Sequence, residues 1–132
     1  MDKEVHEKHS DTTFDDEFVE MYADIILQDI LNKKVLFFIA KCEQSNMQVT
    51  VKTIAENVTS NRRVGVRNDS NTLVNFSNKE GLIDRKTAEK IVERLSYSSL
   101  IYFDVQLPRK FIKLTARGIQ VAIKIRKQIG GN

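Results

Sequence analysis

Between Asp84 and Ile125 the spacing of apolar residues changes twice, from a helical period to an alternating one and back. Ile83, Thr87, Ala88, Ile91, Val92 and Leu95 share one helical face, and Arg85, Lys86, Glu89, Lys90, Glu93 and Arg94 share the other. Asp84 precedes this run and can accept from the free backbone N–H groups of the first turn, which makes it the expected N-cap. Leu100–Val105 and Lys110–Leu114 are rich in β-branched and aromatic residues and predict two strands. Between them lies Gln106-Leu107-Pro108-Arg109 with the only proline of the chain, a residue that cannot donate to a sheet ladder and so belongs at a hairpin tip or edge. Thr115 then caps a final helix carrying Ile119, Val121, Ala122, Ile125 and Ile129, with Gly118 near its start and Gly130-Gly131 ending it.

The front half predicts a helical scaffold. Residues 1–13 are polar and aperiodic, and a disordered tail is expected there. From about Asp15, the residues Phe18, Tyr22, Ile25, Ile26 and Ile30 mark a helix reaching about Asn32. A second run, Lys34–Glu43, places Val35, Leu36, Phe38, Ile39 and Cys42 at helical spacing. Little separates one helix from two over Phe14–Phe38, and Asn32-Lys33-Lys34 is the best break.

Three segments resemble MarR-type winged helix-turn-helix regulators. DRKTAEKIVERLSYSSLI (Asp84–Ile101) is similar to their recognition helix and the strand after it, and PRKFIKLTARGIQVA (Pro108–Ala122) to their wing strand and the LTxxG start of the next helix. VTVKTIAENV (Val49–Val58) resembles their first helix-turn-helix helix, and together the matches touch about half of the chain. The resemblance implies a mainly α-helical winged helix over 14–132 with a small β-hairpin wing, dimerising through its N- and C-terminal helices. Both of those helices have an apolar side available. The chain departs from the family at the helix-turn-helix turn, where two or three residues are usual and a tight turn fixes the helix angle. Here Thr59–Ile83 intervene, with Asn, Ser, Gly and Asp scattered through them. Residues 59–81 read as an inserted loop or as a hairpin, since Arg63–Arg67 and Thr72–Phe76 alternate on either side of Asn68-Asp69-Ser70-Asn71. An insertion of this length is functional, disordered, or a sign that the element assignment fails.

Length and composition narrow the class. The 132 residues suit one domain with a modest core. No apolar run approaches the roughly 20 residues needed to span a bilayer and the first residues carry no signal-peptide pattern, so a cytoplasmic location is expected. The net charge of +3 hides an asymmetry: residues 1–32 hold two Lys against ten Asp and Glu, leaving nineteen Lys and Arg against eight acids in the remaining hundred. Such a basic body attracts a polyanion, with counterion release adding affinity that does not depend on sequence. The acidic start is expected to lie away from it.

The candidate chemistry is recognition of double-stranded DNA. Arg85 and Lys86 in the first turn and Lys90 one turn on, with Thr87 and Glu89, suit a major groove: Arg or Lys can bridge O6 and N7 of guanine, and Glu can accept from cytosine N4. The same face also suits a solvated helix in which Arg85 and Glu89 attract each other. Arg109 and Lys110 beside Pro108 would bring a wing tip to the minor groove or its phosphates. Arg62, Arg63 and Arg67 in the insertion form a second phosphate-binding element or belong to a mobile segment. Cys42 raises the question of a thiol sensor, but its steps from Ile39 and Val35 place it in the core. His6 and His9 have no third ligand, so no metal is expected, and no nucleophile, base or phosphate loop supports an enzyme or a cofactor. The expectation is a sequence-specific DNA-binding homodimer, a transcriptional repressor or a protein of a plasmid or phage replication or partition site. The alternative is a winged helix that meets an acidic protein partner without DNA specificity.

Overall fold

The computed structural model describes residues 11–130; His6, His9 and most of the polar tail lie outside them. Among the described residues five helices and four strands follow in the order α1 (Asp16–Leu27), α2 (Ile30–Gln44), α3 (Val51–Asn57), β1 (Thr59–Arg67), β2 (Leu73–Leu82), α4 (Arg85–Tyr97), β3 (Ile101–Gln106), β4 (Arg109–Leu114) and α5 (Ala116–Gly130). The chain is thus mainly helical with two separate two-stranded antiparallel sheets. No helix among the described residues is long and apolar enough to cross a membrane.

One core joins all five helices to the β3–β4 hairpin. Leu36 and Ile39 from α2, Ile54 from α3, Ile91 and Leu95 from α4, Ile112 from β4 and Ile125 from α5 are all essentially inaccessible to solvent. Each such side chain contributes about 1.5–3 kcal/mol by leaving water. Cys42 is buried among them, and burial pushes its thiol up from the ordinary value against the smaller opposing pull of Lys41. It packs as a small hydrophobe.

Several junctions differ from the sequence expectation. The break between the first two helices falls at Gln28-Asp29 and not at Asn32-Lys33-Lys34, because the Asp29 side chain accepts from the Leu31 N–H at 2.9 Å and so starts α2. A helix reaching about Asn32 would have held Asp29 in its interior. Arg117, in the first turn of α5, does not face solvent. It is buried, donating from Nε to the Ser99 carbonyl at 3.0 Å and from Nη1 to the Thr12 carbonyl at 2.9 Å, with its guanidinium 5.9 Å from the Phe14 ring centroid. Burial lowers its pKa, and Asp11 opposes that shift. Gln120 holds both the N–H and the carbonyl of Phe14, so the backbone is fastened to α5 from Thr12 onward.

The insertion is a hairpin. Its strands pair antiparallel from Thr59 opposite Leu82 to Arg67 opposite Leu73, longer than the two alternating pieces legible in the sequence. Asn68 organises the turn: its side chain accepts from the N–H groups of Ser70 and Thr72, both at 3.0 Å, while Asn71 takes a left-handed φ of 58° that asparagine tolerates.

Candidate nucleic-acid interface

Three elements converge beside the N-terminal half of α4. Thr50 caps α3 through a reciprocal pair with Thr53, which fixes where that seven-residue helix begins. Just before it, the Val49 carbonyl accepts from the Ile112 N–H at 2.7 Å, joining the approach to α3 to strand β4. Asp84 caps α4 as expected, accepting from the Thr87 N–H at 2.7 Å. The buried side of α4, which carries Ala88, Ile91, Val92 and Leu95, sets its rotation, so the opposite side faces outward by default.

The β3–β4 hairpin is held at its root by a compact set of hydrogen bonds. The Thr115 hydroxyl donates to the Ser99 carbonyl at 2.7 Å and accepts from the Gly118 N–H at 3.0 Å, while the Thr115 N–H donates to the Leu100 carbonyl at 3.0 Å. Ser99 has a left-handed φ of 61°. Gly118 is required here, because a Cβ at that position would lie 2.0 Å from the Leu100 carbonyl oxygen. Glu43 of α2 completes the anchorage by accepting from the Leu114 N–H at 2.8 Å. The root is rigid and the tip, with Leu107 87% exposed, stands in solvent.

Between α3, α4 and this hairpin lies a concavity of about 980 Å³. Arg85 and Glu89 of α4 line it, and so do Arg109 and Lys110 of the hairpin and Lys52 and Thr53 of α3. Four of the residues singled out in the sequence are therefore brought to one surface. Arg85 Nε lies 3.4 Å from Glu89 Oε1 across one helical turn, with both side chains largely exposed, a geometry that costs little to open when another partner arrives. Lys86 and Lys90 are exposed but lie on the next stripe around the helix, outside the concavity, and on that stripe Arg94 bridges at 3.6 Å to Asp29. Thr87 is half-buried.

Further along the concavity the Tyr97 hydroxyl donates to Glu93 at 2.8 Å, a bond that, together with the Glu93 charge, raises the tyrosine pKa. Lys52, Thr53, Glu93 and Tyr97 are not among the candidate contacts named from the sequence. The i, i+4 steps from Arg85 through Glu89 and Glu93 to Tyr97 were the available signal for the last two.

The remaining candidates, Arg62, Arg63 and Arg67, come from the inserted hairpin. All three lie on β1, and the register sets Arg62 opposite Lys79, Arg63 opposite Asn78 and Arg67 opposite Leu73. Arg67 donates from Nη1 to the Asn71 carbonyl at 3.1 Å, within its own turn.

Among the described residues no group of three His, Cys, Asp or Glu could hold a metal ion. Compared with protein-family models, with curated proteins and with solved structures, the chain matches none.

Proposed function

We propose that this chain is a winged helix-turn-helix protein that binds double-stranded DNA, with α3 and α4 as the helix-turn-helix, α4 as the recognition helix and β3–β4 as the wing. The observation that carries this is the shared concavity, in which Arg85 and Glu89 on the exposed side of α4 face the same space as Arg109 and Lys110 at the hairpin tip. A helix stripe that can hydrogen-bond base edges, flanked by a basic tip that can meet phosphates, is what reading a duplex requires. Arg85 and Glu89 would contact bases, Lys52, Arg109 and Lys110 phosphates or the minor groove, and Lys86 and Lys90 the phosphates on the far side of the helix.

The assembly proposed is a two-fold dimer. Phe18, Met21 and Ile25 form an exposed apolar stripe on α1, and Ile119 and Ile123 of α5 line an apolar groove of about 570 Å³ against α2. Such faces are rarely left to water. Two copies related by a two-fold axis would present two recognition helices to half-sites about 34–36 Å apart. Repression of transcription is the regulatory role that the resemblance favours, and occupancy of a replication or partition site uses the same contacts.

The test is fluorescence anisotropy with labelled duplexes from the chain's own genetic neighbourhood, each compared with its shuffled sequence, at several salt concentrations. Binding that weakens with salt and favours one duplex over its shuffled copy is the expected result. Equal binding to all duplexes would remove sequence recognition, and no binding at low salt would leave an acidic protein partner as the better account of the basic body.

A further inference from the structure

The β1–β2 ribbon grows out of the turn between α3 and α4, and its far end is apolar where a hairpin in water is usually polar. The base is fastened: the Ile83 N–H donates to the Val58 carbonyl at 3.1 Å and Lys34 Nζ donates to the Thr59 carbonyl at 2.9 Å. Because Thr59 pairs with Leu82, three residues before α4 begins, this base is fixed beside the N-terminus of that helix. Toward the other end Val66, Leu73, Val74 and Phe76 are 41–58% exposed.

Two of these side chains are brought together by construction. Positions 73 and 76 are three apart, and on a regular strand they belong to opposite faces. Here the register shifts: Val66 is opposite Asn75 and Arg67 is opposite Leu73, so Val74 is an extra residue in β2 and Leu73 turns onto the face of Phe76. Across from Phe76 stands Gly65, where a Cβ would lie 2.7 Å from Leu73 Cδ1 and 4.0 Å from Phe76 Cε1. A bulge and a missing side chain thus gather a leucine and a phenylalanine at one spot. Neither is sheltered, and bulges of this kind serve to aim side chains at a contact.

The surroundings of this pair suit a polyanion. Residues 59–82 hold four Lys and Arg against two acids. Of the acids, Glu80 lies at the base, where its Oε1 accepts from the Thr59 hydroxyl at 2.7 Å, and Asp69 lies in the turn. Arg67 stands opposite Leu73, and Asn68, Asn71 and Asn75 are close by in the chain. Leucine or phenylalanine with arginine and asparagine around it is the side-chain set with which proteins enter a minor groove and part a base step. The reach also fits. At about 3.3 Å per residue Gly65 lies roughly 20 Å beyond Thr59. Half a turn of duplex, from a major groove to the next minor groove, is about 17 Å.

We infer that Leu73 and Phe76 form an apolar wedge that enters the minor groove next to the site engaged by α4, unstacking one base step and untwisting the duplex there. This rests on the DNA-binding reading above and goes beyond it by giving the insertion a task, deformation of DNA, that the helix and wing do not perform.

The experiment pairs binding with unwinding. Anisotropy with a labelled random duplex of about 40 base pairs measures affinity, and relaxation of a closed circular plasmid by topoisomerase in the presence of saturating protein measures untwisting. The wild type is expected to leave supercoils in the plasmid once the protein is removed. L73S/F76S is expected to leave none while binding the duplex only roughly three- to tenfold more weakly, since the contacts of a wedge are partly offset by the cost of unstacking. F76L, which keeps the apolar chemistry, is expected to unwind like the wild type. A wild type that binds without unwinding would overturn the wedge, and so would unwinding that survives in L73S/F76S. Loss of unwinding in F76L as complete as in the serine variant would mean that apolar character is not what acts. Self-association in light scattering that the serine variant abolishes, with unwinding unchanged, would assign the patch to a second copy instead. A wild type that binds no duplex defeats the DNA-binding reading itself and is thereby distinguishable from all of these.

Discussion

The two hairpins of this molecule have nearly the same construction and opposite relations to the core. β3–β4 is short, six residues a strand, and buries Ile101, Phe111, Ile112 and Leu114 against the helices. β1–β2 is longer, nine and ten residues a strand, yet Leu73, Val74, Phe76 and Leu82 remain 43–58% exposed. An isolated two-stranded hairpin is marginal in water, so burial stabilises the first while the second depends on its own cross-strand pairs and on its anchored base. The first hairpin is held in the core and leaves only its tip in solvent. The second is exposed along its length.

Truncation should therefore separate them. Ile112→Ala removes a buried side chain from β4 and is expected to cost about 2–5 kcal/mol in chemical denaturation. Phe76→Ala in β2 should cost less, about 0.5–1 kcal/mol, because its side chain is 46% exposed. Comparable losses from the two substitutions would mean that the ribbon packs on the body after all.

Gly118→Ala probes the root of the same core hairpin. A methyl group there meets the Leu100 carbonyl oxygen, and the junctions on both sides of the hairpin have to shift, for an expected loss of about 1–3 kcal/mol. Alanine is otherwise the better helix former, so a thermal melt showing stabilisation would contradict the close approach.

For binding, Arg85→Ala should cost about 1–3 kcal/mol against a preferred duplex and little against a random one. The pair Arg109→Ala with Lys110→Ala should weaken both duplexes alike and make the salt slope shallower by about 0.9 for each lost contact. If the two sets of variants behave identically, the division between a base-reading helix and a phosphate-binding tip fails. The smallest effect expected is on the free protein: backbone amides of β1–β2 should exchange with solvent sooner than those of β3–β4, since an exposed, singly anchored hairpin opens with less free energy. Slower exchange in β1–β2 would reverse the comparison.

Much of the α4–β3–β4–α5 segment was legible in the sequence because each element there obeys a local rule that the core reinforces. The Asp84 cap, the apolar side of α4, the proline tip and the Thr115 cap all agree with the packing that follows. The break at Asp29 was not legible, since an aspartate four residues after Ile25 and three after Ile26 reads equally well as one more polar position on a helix. The burial of Arg117 was not legible either, since it depends on Thr12 and Ser99, which reach it only through the fold. The same limit applies to the candidate interface. Arg85, Glu89, Arg109 and Lys110 could be picked out by type, but Lys52 and Thr53 join them through the arrangement of α3 beside α4. The insertion could be read as a loop or a hairpin, and its strands run longer than the two alternating pieces because Asn, Ser and Gly positions pair as well as the apolar ones.

The central claim is that α4 and the β3–β4 tip meet DNA as one surface, and the most direct measurement is a titration of isotope-labelled protein with a short duplex, followed amide by amide by nuclear magnetic resonance. The largest shifts are expected at Asp84–Lys90, at Gln106–Lys110 and at the start of α3 around Lys52 and Thr53, and they should appear together at one stoichiometry. Shifts confined to the groove between α2 and α5, or to α4 without the hairpin tip, would contradict the account.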